Sequence, residues 1–512
     1  MTDTNHTGPN RRRFIQGTLT AVGALSLTGL AGEAVAADKP TLLKIAQASD
    51  VQPRAALAGR GPNATWRHQV FDTLTTLDAE TGEPMPVLAT SWTISDDSKT
   101  VVFTLRDGVT FHTGRAFTAE DVIYTLNLIA DEGSISQMAS IARKFTQVEA
   151  TGPLEVTITS TDPIGKSIFD VAQLAVIVDQ ETISGLEDGS KVVGTGPFTW
   201  EEWKVGAMLR LAKNPNYWAE TKPAIDAIEI SIITDRTAHA NAARSGTQFV
   251  FEVTPSEAVP FEHDRRVTLM NSPAGLIFPV GMNVTIAPMD NKAVRQAVGY
   301  AIDRDRILDQ VFNGFGSTSD LWWSETEAGM TDDLIHRYSY DPDRARQMIK
   351  DAGAEGAEIE ISLPAIPMVQ AVFEVLQYNL REVGLVPTGR VLNVTEFDGL
   401  QANQDLGAMF QQIHGLQGFS AATLVDVLAA VRDQNPSNIP LERYRALKDK
   451  LQSSTGEAYT VALKELAEYM LDEAFSHVMV HAPSVSVVST KLTGARFNAV
   501  GYLELVDAKL EG

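Results

Sequence analysis

The sequence predicts a mixed α/β (α+β) fold, and three observations carry that expectation. Short alternating apolar runs recur along the chain, capped helical segments lie between them, and no internal repeat, low-complexity tract or coiled-coil heptad interrupts the mixture. The runs Thr41-Leu42-Leu43-Lys44-Ile45-Ala46, Val101-Val102-Phe103-Thr104-Leu105-Arg106, Leu154-Glu155-Val156-Thr157-Ile158-Thr159 and Ile228-Glu229-Ile230-Ser231-Ile232-Ile233 read as half-buried strands. Thr118 caps a helix whose first turn holds Glu120 and Asp121, where carboxylates suit the positive end of the helix dipole. Asp341 repeats the device with Pro342 at the first helical position, and Gly353 ends that helix. A further helix fits 370–382, stopped by Gly384. Turn clusters at 78–86, 194–197 and 287–290 suggest boundaries. The first half is strand-rich, 290–480 is mostly helical, and 483–505 returns to strand-like alternation, as if the chain came back to finish its first domain.

The N-terminus reads as a targeting segment rather than part of the fold. Asn10-Arg11-Arg12-Arg13-Phe14-Ile15-Gln16 leads into a weakly apolar stretch over 17–30 and then the small-residue site Ala34-Val35-Ala36. This order is that of a removable signal, 1–36, and the arginine pair points to the twin-arginine route and hence to the periplasm. The apolar stretch is too short for a membrane span, which needs roughly 20 residues. Removing 1–36 takes away three Arg, one Asp and one Glu, leaving 39 basic and 63 acidic groups, a net charge near −24. Such a balance argues against nucleic acid or anionic lipid as partners, and against membrane insertion of the mature chain. With no cysteine, thiol catalysis, zinc–thiolate sites and disulfides are all excluded.

No catalytic constellation stands out. Gly165-Lys166-Ser167 mimics the end of a phosphate-binding loop, but Ser160 occupies the place of its first glycine. His477 and His481 have helical metal-ligand spacing, yet their neighbours read as strand, where such rings stand about 13 Å apart. There is no Gly-x-Ser-x-Gly elbow, and the many carboxylates fall in turns and caps, so neither a cofactor nor a metal is expected.

Four blocks, in order along the chain, carry a family resemblance. The first is Pro86-Val87-Leu88-Ala89-Thr90-Ser91-Trp92 with Phe103-Thr104-Leu105-Arg106-Asp107-Gly108-Val109-Thr110-Phe111-His112-Thr113-Gly114 and Phe117-Thr118-Ala119-Glu120-Asp121-Val122. The second is Gly194-Thr195-Gly196-Pro197-Phe198 followed by Asn214-Pro215-Asn216-Tyr217-Trp218. Asn291-Lys292-Ala293-Val294-Arg295-Gln296-Ala297 with Tyr300-Ala301-Ile302-Asp303-Arg304 forms the third, and Tyr340-Asp341-Pro342 with Ala352-Gly353 the fourth. Together they resemble the extracellular solute-binding proteins of peptide- and nickel-type (family 5) ABC importers. Read physically, the blocks are turns and aromatic core contacts; the paired glycines 194 and 196, for example, read as flexible backbone before Pro197 fixes the next strand.

The resemblance implies a two-lobed periplasmic binding protein fold with an extra inserted domain and a ligand cleft between the lobes. Domain I would comprise 37–75, 191–280 and 482–512, domain II 76–190 and domain III 281–481. It also implies a monomer that captures a peptide-like, opine-like or metal-chelate solute and delivers it to an inner-membrane ABC permease, performing no chemistry. An exported hydrolase acting on a small solute or glycan is the alternative.

Candidate ligand contacts follow from residue type. Arg67 beside Trp66 suits a carboxylate clamp with a stacking wall, and a bracing charge is the competing reading. Trp322 and Trp323 lie in a loop, and neighbouring side chains that point apart leave one for the core and one free. Gln411, His414, Gln417 and Phe419 gather amides, an imidazole and an aromatic around two glycines, in the region that faces the cleft in the family. Dipeptide-binding members place an aspartate there to meet the ligand's amino terminus. No acid occurs over 410–423, between Asp405 and Asp426, so dipeptide specificity is not expected, because a buried ammonium lacking a carboxylate is costly.

Overall fold

A computed structural model describes residues 40–59, 63–78, 81–415 and 418–511; the expected signal, 1–36, lies outside them. Residues Pro40–Gly512 form one compact unit. The expected strands form at Leu42–Gln47, Thr100–Leu105, Glu155–Ser160 and Ala227–Ile232. The helix Ala119–Ala130 carries a full capping box between Thr118 and Asp121, and Pro342–Asp351 starts from an Asp341 side chain that accepts from the Arg344 N–H. The helix Pro367–Glu382 begins three residues earlier than periodicity suggests, because Pro367 can occupy a first-turn position where its missing N–H costs nothing.

An 11-stranded sheet organises the molecule. On one side stand Phe198–Lys204, Met208–Lys213, Ala227–Ile232, Leu42–Gln47 and Phe249–Val253; on the other stand Met409–Gln411, Glu358–Pro364 and Val386–Leu392. Between them run two long antiparallel strands, Val267–Met282 and Ser476–Ser489, which belong to both sides. Their pairing breaks between Asn271 and Gly275, where Pro273 removes a ladder donor, and again between Phe278 and Pro279. A separate four-stranded antiparallel sheet spans Ala89–Ile94, Thr100–Leu105, Phe145–Gly152 and Glu155–Ser160.

The resemblance blocks occupy tight structural positions. Asp72 accepts hydrogen bonds from Thr195 Oγ1 (2.8 Å), Trp218 Nε1 (2.8 Å) and Tyr217 Oη (3.3 Å). Gly194 and Gly196 are required for closeness rather than flexibility: a Cβ on either would stand 2.0 and 2.8 Å, respectively, from the Val70 carbonyl oxygen. His477 and His481 both lie on the strand Ser476–Ser489, and their Nε2 atoms face the carbonyls of Arg295 (2.9 Å) and Leu321 (3.0 Å).

Candidate functional site

A cavity of about 460 Å³ opens where three parts of the chain meet. The four-stranded-sheet region contributes Trp92, Lys166, Phe169 and Asp170; the helical region contributes Glu327, Phe419, Ser420 and Tyr459. Pro273, at the break in the long strands, and Ala499 complete the wall. Trp92 reaches the cavity from the strand Ala89–Ile94 and meets Phe169 edge-on, ring centroids 5.3 Å apart. Phe169 and Asp170 sit in the helix Ser167–Leu174, every residue of which is buried.

Asp170 crosses the cavity margin. Its Oδ2 accepts from Ser420 N (3.1 Å), Ser420 Oγ (2.6 Å) and Thr423 Oγ1 (2.5 Å), while Oδ1 accepts from Gln173 Nε2 (3.0 Å). Ser420 is itself the N-cap of the helix Ala421–Val427. Burial pushes the Asp170 carboxyl up to about 6, and the Ser420 and Thr423 hydrogen bonds oppose that rise. Nearby, Tyr459 donates to Glu327 Oε1 at 2.5 Å, and the Lys166 ammonium stands 4.7 Å from the centre of the Tyr459 ring. Gly165 faces the Gln452 carbonyl so closely that a Cβ would lie 2.4 Å from its oxygen. Lys144 pairs with Asp426 at 2.6 Å, and Lys448 bridges Asp426 (3.1 Å) and Asp433 (2.6 Å). The contacts of Asp170, Lys166, Gly165 and Lys144 clasp the region around the four-stranded sheet to the helical region, and Lys448 anchors Asp426 within the latter.

The residues singled out by type are divided by the fold. Phe419 lines the cavity. Trp322 and His414, distant in sequence, meet edge-to-face with centroids 5.4 Å apart, and both the Trp322 indole N–H and His414 Nε2 are buried without a hydrogen-bond partner in the described structure. Burial holds the His414 imidazole down at about 4, so it is neutral near pH 7. Trp323 is also buried and donates to Met330 Sδ, so the expectation that one of the two indoles stays free is not met. Both pack inward because Asp320, paired with Arg304, ties the start of their loop into the core.

Trp66 is a core residue: its Nε1 donates to Asn63 Oδ1 and its ring meets Trp200 edge-on at 5.1 Å. Arg67 is buried, donates to the Leu174 carbonyl and lies 4.8 Å from the Tyr502 ring centre, the bracing alternative rather than a cavity clamp. Gln411 is buried and donates to the Val369 carbonyl, fixing its strand to the helix Pro367–Glu382. Gln417 lies outside the described residues.

Residue type alone did not single out Asp170, Glu327, Trp92 or Tyr459. The one available signal was Gly165-Lys166-Ser167, whose Gly and Lys reach the cavity for reasons unrelated to phosphate. A carboxylate does reach the 410–423 region in space: Asp170 accepts from Ser420 and Thr423, and both of its oxygens are engaged within the protein.

Two sheet-bearing regions joined through shared long strands, with a polar and aromatic cavity at their meeting point, define the class of two-lobed solute-binding folds. This chain belongs to the bacterial extracellular solute-binding proteins, family 5 Middle, whose match covers residues 83–422. The glutathione-binding protein GsiB of Shigella flexneri serotype 5b is 28% identical over 347 residues, covering 66% of each chain, so the match spans just under two thirds of that relative. The fold is also that of NikA from Brucella suis in complex with Fe(III)-EDTA, with TM-score 0.79 and 18% identity over 92% of this chain and 100% of that one. AgaA from A. tumefaciens R10 in complex with agropinic acid gives TM-score 0.74 and 21% identity over 92% of this chain and 99% of that one. Among the described residues, no helix is long and apolar enough to cross a membrane.

Proposed function

We propose that this chain is the periplasmic solute-binding component of an ABC importer. It captures a peptide-like or other small polar solute in the cavity bounded by Trp92, Phe169, Glu327, Phe419 and Tyr459, and delivers it to an inner-membrane permease. The observation that carries this reading is that one cavity draws its wall from all three segments expected to form domains I, II and III. In this reading 37–75, 191–280 and 482–512 form domain I, 76–190 domain II and 281–481 domain III. The chain works as a monomer exported through the twin-arginine signal 1–36 and uses no cofactor.

Closure is a population shift: a ligand stabilises the closed form only by the contacts it gains there and lacks in the open form. The Asp170 hydrogen bonds and the Lys144–Asp426 pair belong to the closed form, and the breaks in the long strands near Pro273 are where the lobes bend. The ligands named for similar proteins are glutathione, an opine-type acid and a metal chelate.

The test is native mass spectrometry of the purified protein for a co-purified molecule, followed by thermal unfolding with glutathione, dipeptides, opines and Fe or Ni chelates. Saturable stabilisation without turnover is expected, and a ligand at 100 times its Kd adds about 2.7 kcal/mol. Product formation from any of these solutes, or from a glycan, would instead identify the exported hydrolase.

A further inference from the structure

A second concavity, an open trough of about 780 Å³, lies between the helices Lys292–Ala301, Pro342–Asp351, Leu441–Gln452 and Gly456–Glu473, and it shares no lining residue with the cavity described above. Its charges are not balanced internally. Each carboxylate on its wall is already engaged: Glu465 by Lys450 (2.6 Å), Glu468 by Arg337 (3.0 Å) and Asp472 by Lys292 (2.7 Å). Three cations on the same wall, Arg344, Arg443 and Lys464, have no carboxylate partner among the described residues. In a chain with a net charge of −23, three uncompensated cations in one trough run against the overall balance.

Two of the three are held in place. The Arg344 guanidinium lies 3.8 Å from the centre of the Tyr300 ring, and that of Arg443 lies 5.1 Å from the Tyr469 ring. Contact with an aromatic face occupies the flat side of a guanidinium and leaves its N–H edge available for a carboxylate. On the same wall Val461 is exposed and Leu447 half-buried, so the trough offers apolar contact as well as charge.

We propose that this trough docks an acidic segment of a partner protein, one in which carboxylates flank an apolar side chain. The unpaired cations Arg344, Arg443 and Lys464, interspersed with the paired carboxylates Glu465, Glu468 and Asp472 and with Val461 and Leu447, match a peptide whose carboxylates are spaced by apolar residues better than an unbroken run of negative charge. The proposal is independent of what the interlobe cavity binds.

The test is fluorescence anisotropy of the full purified chain with a labelled peptide alternating glutamate and leucine, against the same peptide with glutamine for glutamate. The glutamate peptide should bind at least about tenfold more tightly at low salt and lose that advantage at about 0.5 M salt. The double variant Arg344→Glu/Arg443→Glu, on exposed positions, should lose about tenfold or more in affinity with an unchanged thermal midpoint. The distant pair Lys491→Glu/Lys509→Glu alters net charge equally and should retain binding. Equal affinity for the two peptides, full binding by Arg344→Glu/Arg443→Glu, an equal loss in the distant pair, or binding of inorganic phosphate or phosphatidylglycerol vesicles in place of the peptide would each overturn the proposal.

Discussion

Asp170 and Ser420, 250 positions apart in the chain, are joined twice through one carboxylate oxygen, which accepts from both the backbone N–H and the hydroxyl of Ser420. A buried acid on one helix thereby binds the N-cap of another. The arrangement places a titratable group at the seam between the two regions, so the contact responds both to mutation and to pH.

Replacing Asp170 by Ala removes the acceptor and leaves the hydroxyls of Ser420 and Thr423 buried without it. Unsatisfied buried groups cost about 1–3 kcal/mol each. Asp170→Ala should therefore unfold about 2–4 kcal/mol more easily in denaturant titration. Small-angle scattering of the ligand-free variant should show a larger radius of gyration than the wild type. An unchanged curve on both counts would remove the clasp from the account.

The pH dependence has a definite sign. Burial raises the Asp170 carboxyl from 3.8 to about 6, so between those values the folded form holds a proton that a hydrated carboxylate has released. Stability contributed by this proton is present below pH 4 and is lost as pH rises through about 6. Relative to Asp170→Asn, the wild type should lose up to ~3 kcal/mol across this window, since each tenfold change in proton affinity corresponds to about 1.4 kcal/mol. Parallel denaturation series at pH 4, 5, 6 and 7 measure it, and an opposite slope would refute the assignment.

Gly165→Ala tests the close approach at the seam. The new Cβ would meet the Gln452 carbonyl oxygen at 2.4 Å, and Gly165 has φ +38°, where other residues are strained. Because the obstacle is backbone, relief requires the regions to part, at about 1–3 kcal/mol by analogy with overpacked cores. The expected readout is faster proteolysis at the seam together with weaker ligand binding.

Phe419→Ala should weaken the cavity's ligand by about tenfold or more, the order of magnitude for losing one buried aromatic wall. Calorimetric titration measures this, and Trp66→Phe serves as a contrast because Trp66 contributes to the core rather than the wall. Loss of affinity only in Trp66→Phe would relocate the site.

Local order is the part of this molecule that residue patterns make readable. Thr118 and Asp341 announce their helices because a cap acts within four residues, and the strand at Leu42–Gln47 announces itself by alternation. Phe419, singled out as an aromatic in a glycine-bounded polar stretch, does line the cavity. The acid that serves this stretch was not readable, because Asp170 arrives from another region through tertiary packing that no local period encodes. Trp66 and Arg67 misled for the converse reason: their residue types suit a ligand, but burial against Trp200 and Tyr502 assigns them to bracing. Gly194 and Gly196 were noticed for flexibility, although contact with the Val70 carbonyl is what excludes a side chain.

The strand Ser476–Ser489 lies in the interior of the large sheet, between Val267–Met282 and Phe249–Val253. During synthesis it emerges after nearly everything it joins. Until it is inserted, the growing polypeptide carries two incomplete half-sheets with bare hydrogen-bonding rims, the condition that invites edge-to-edge association. A message cut short before codon 476 would therefore yield an aggregation-prone fragment rather than a smaller working binder.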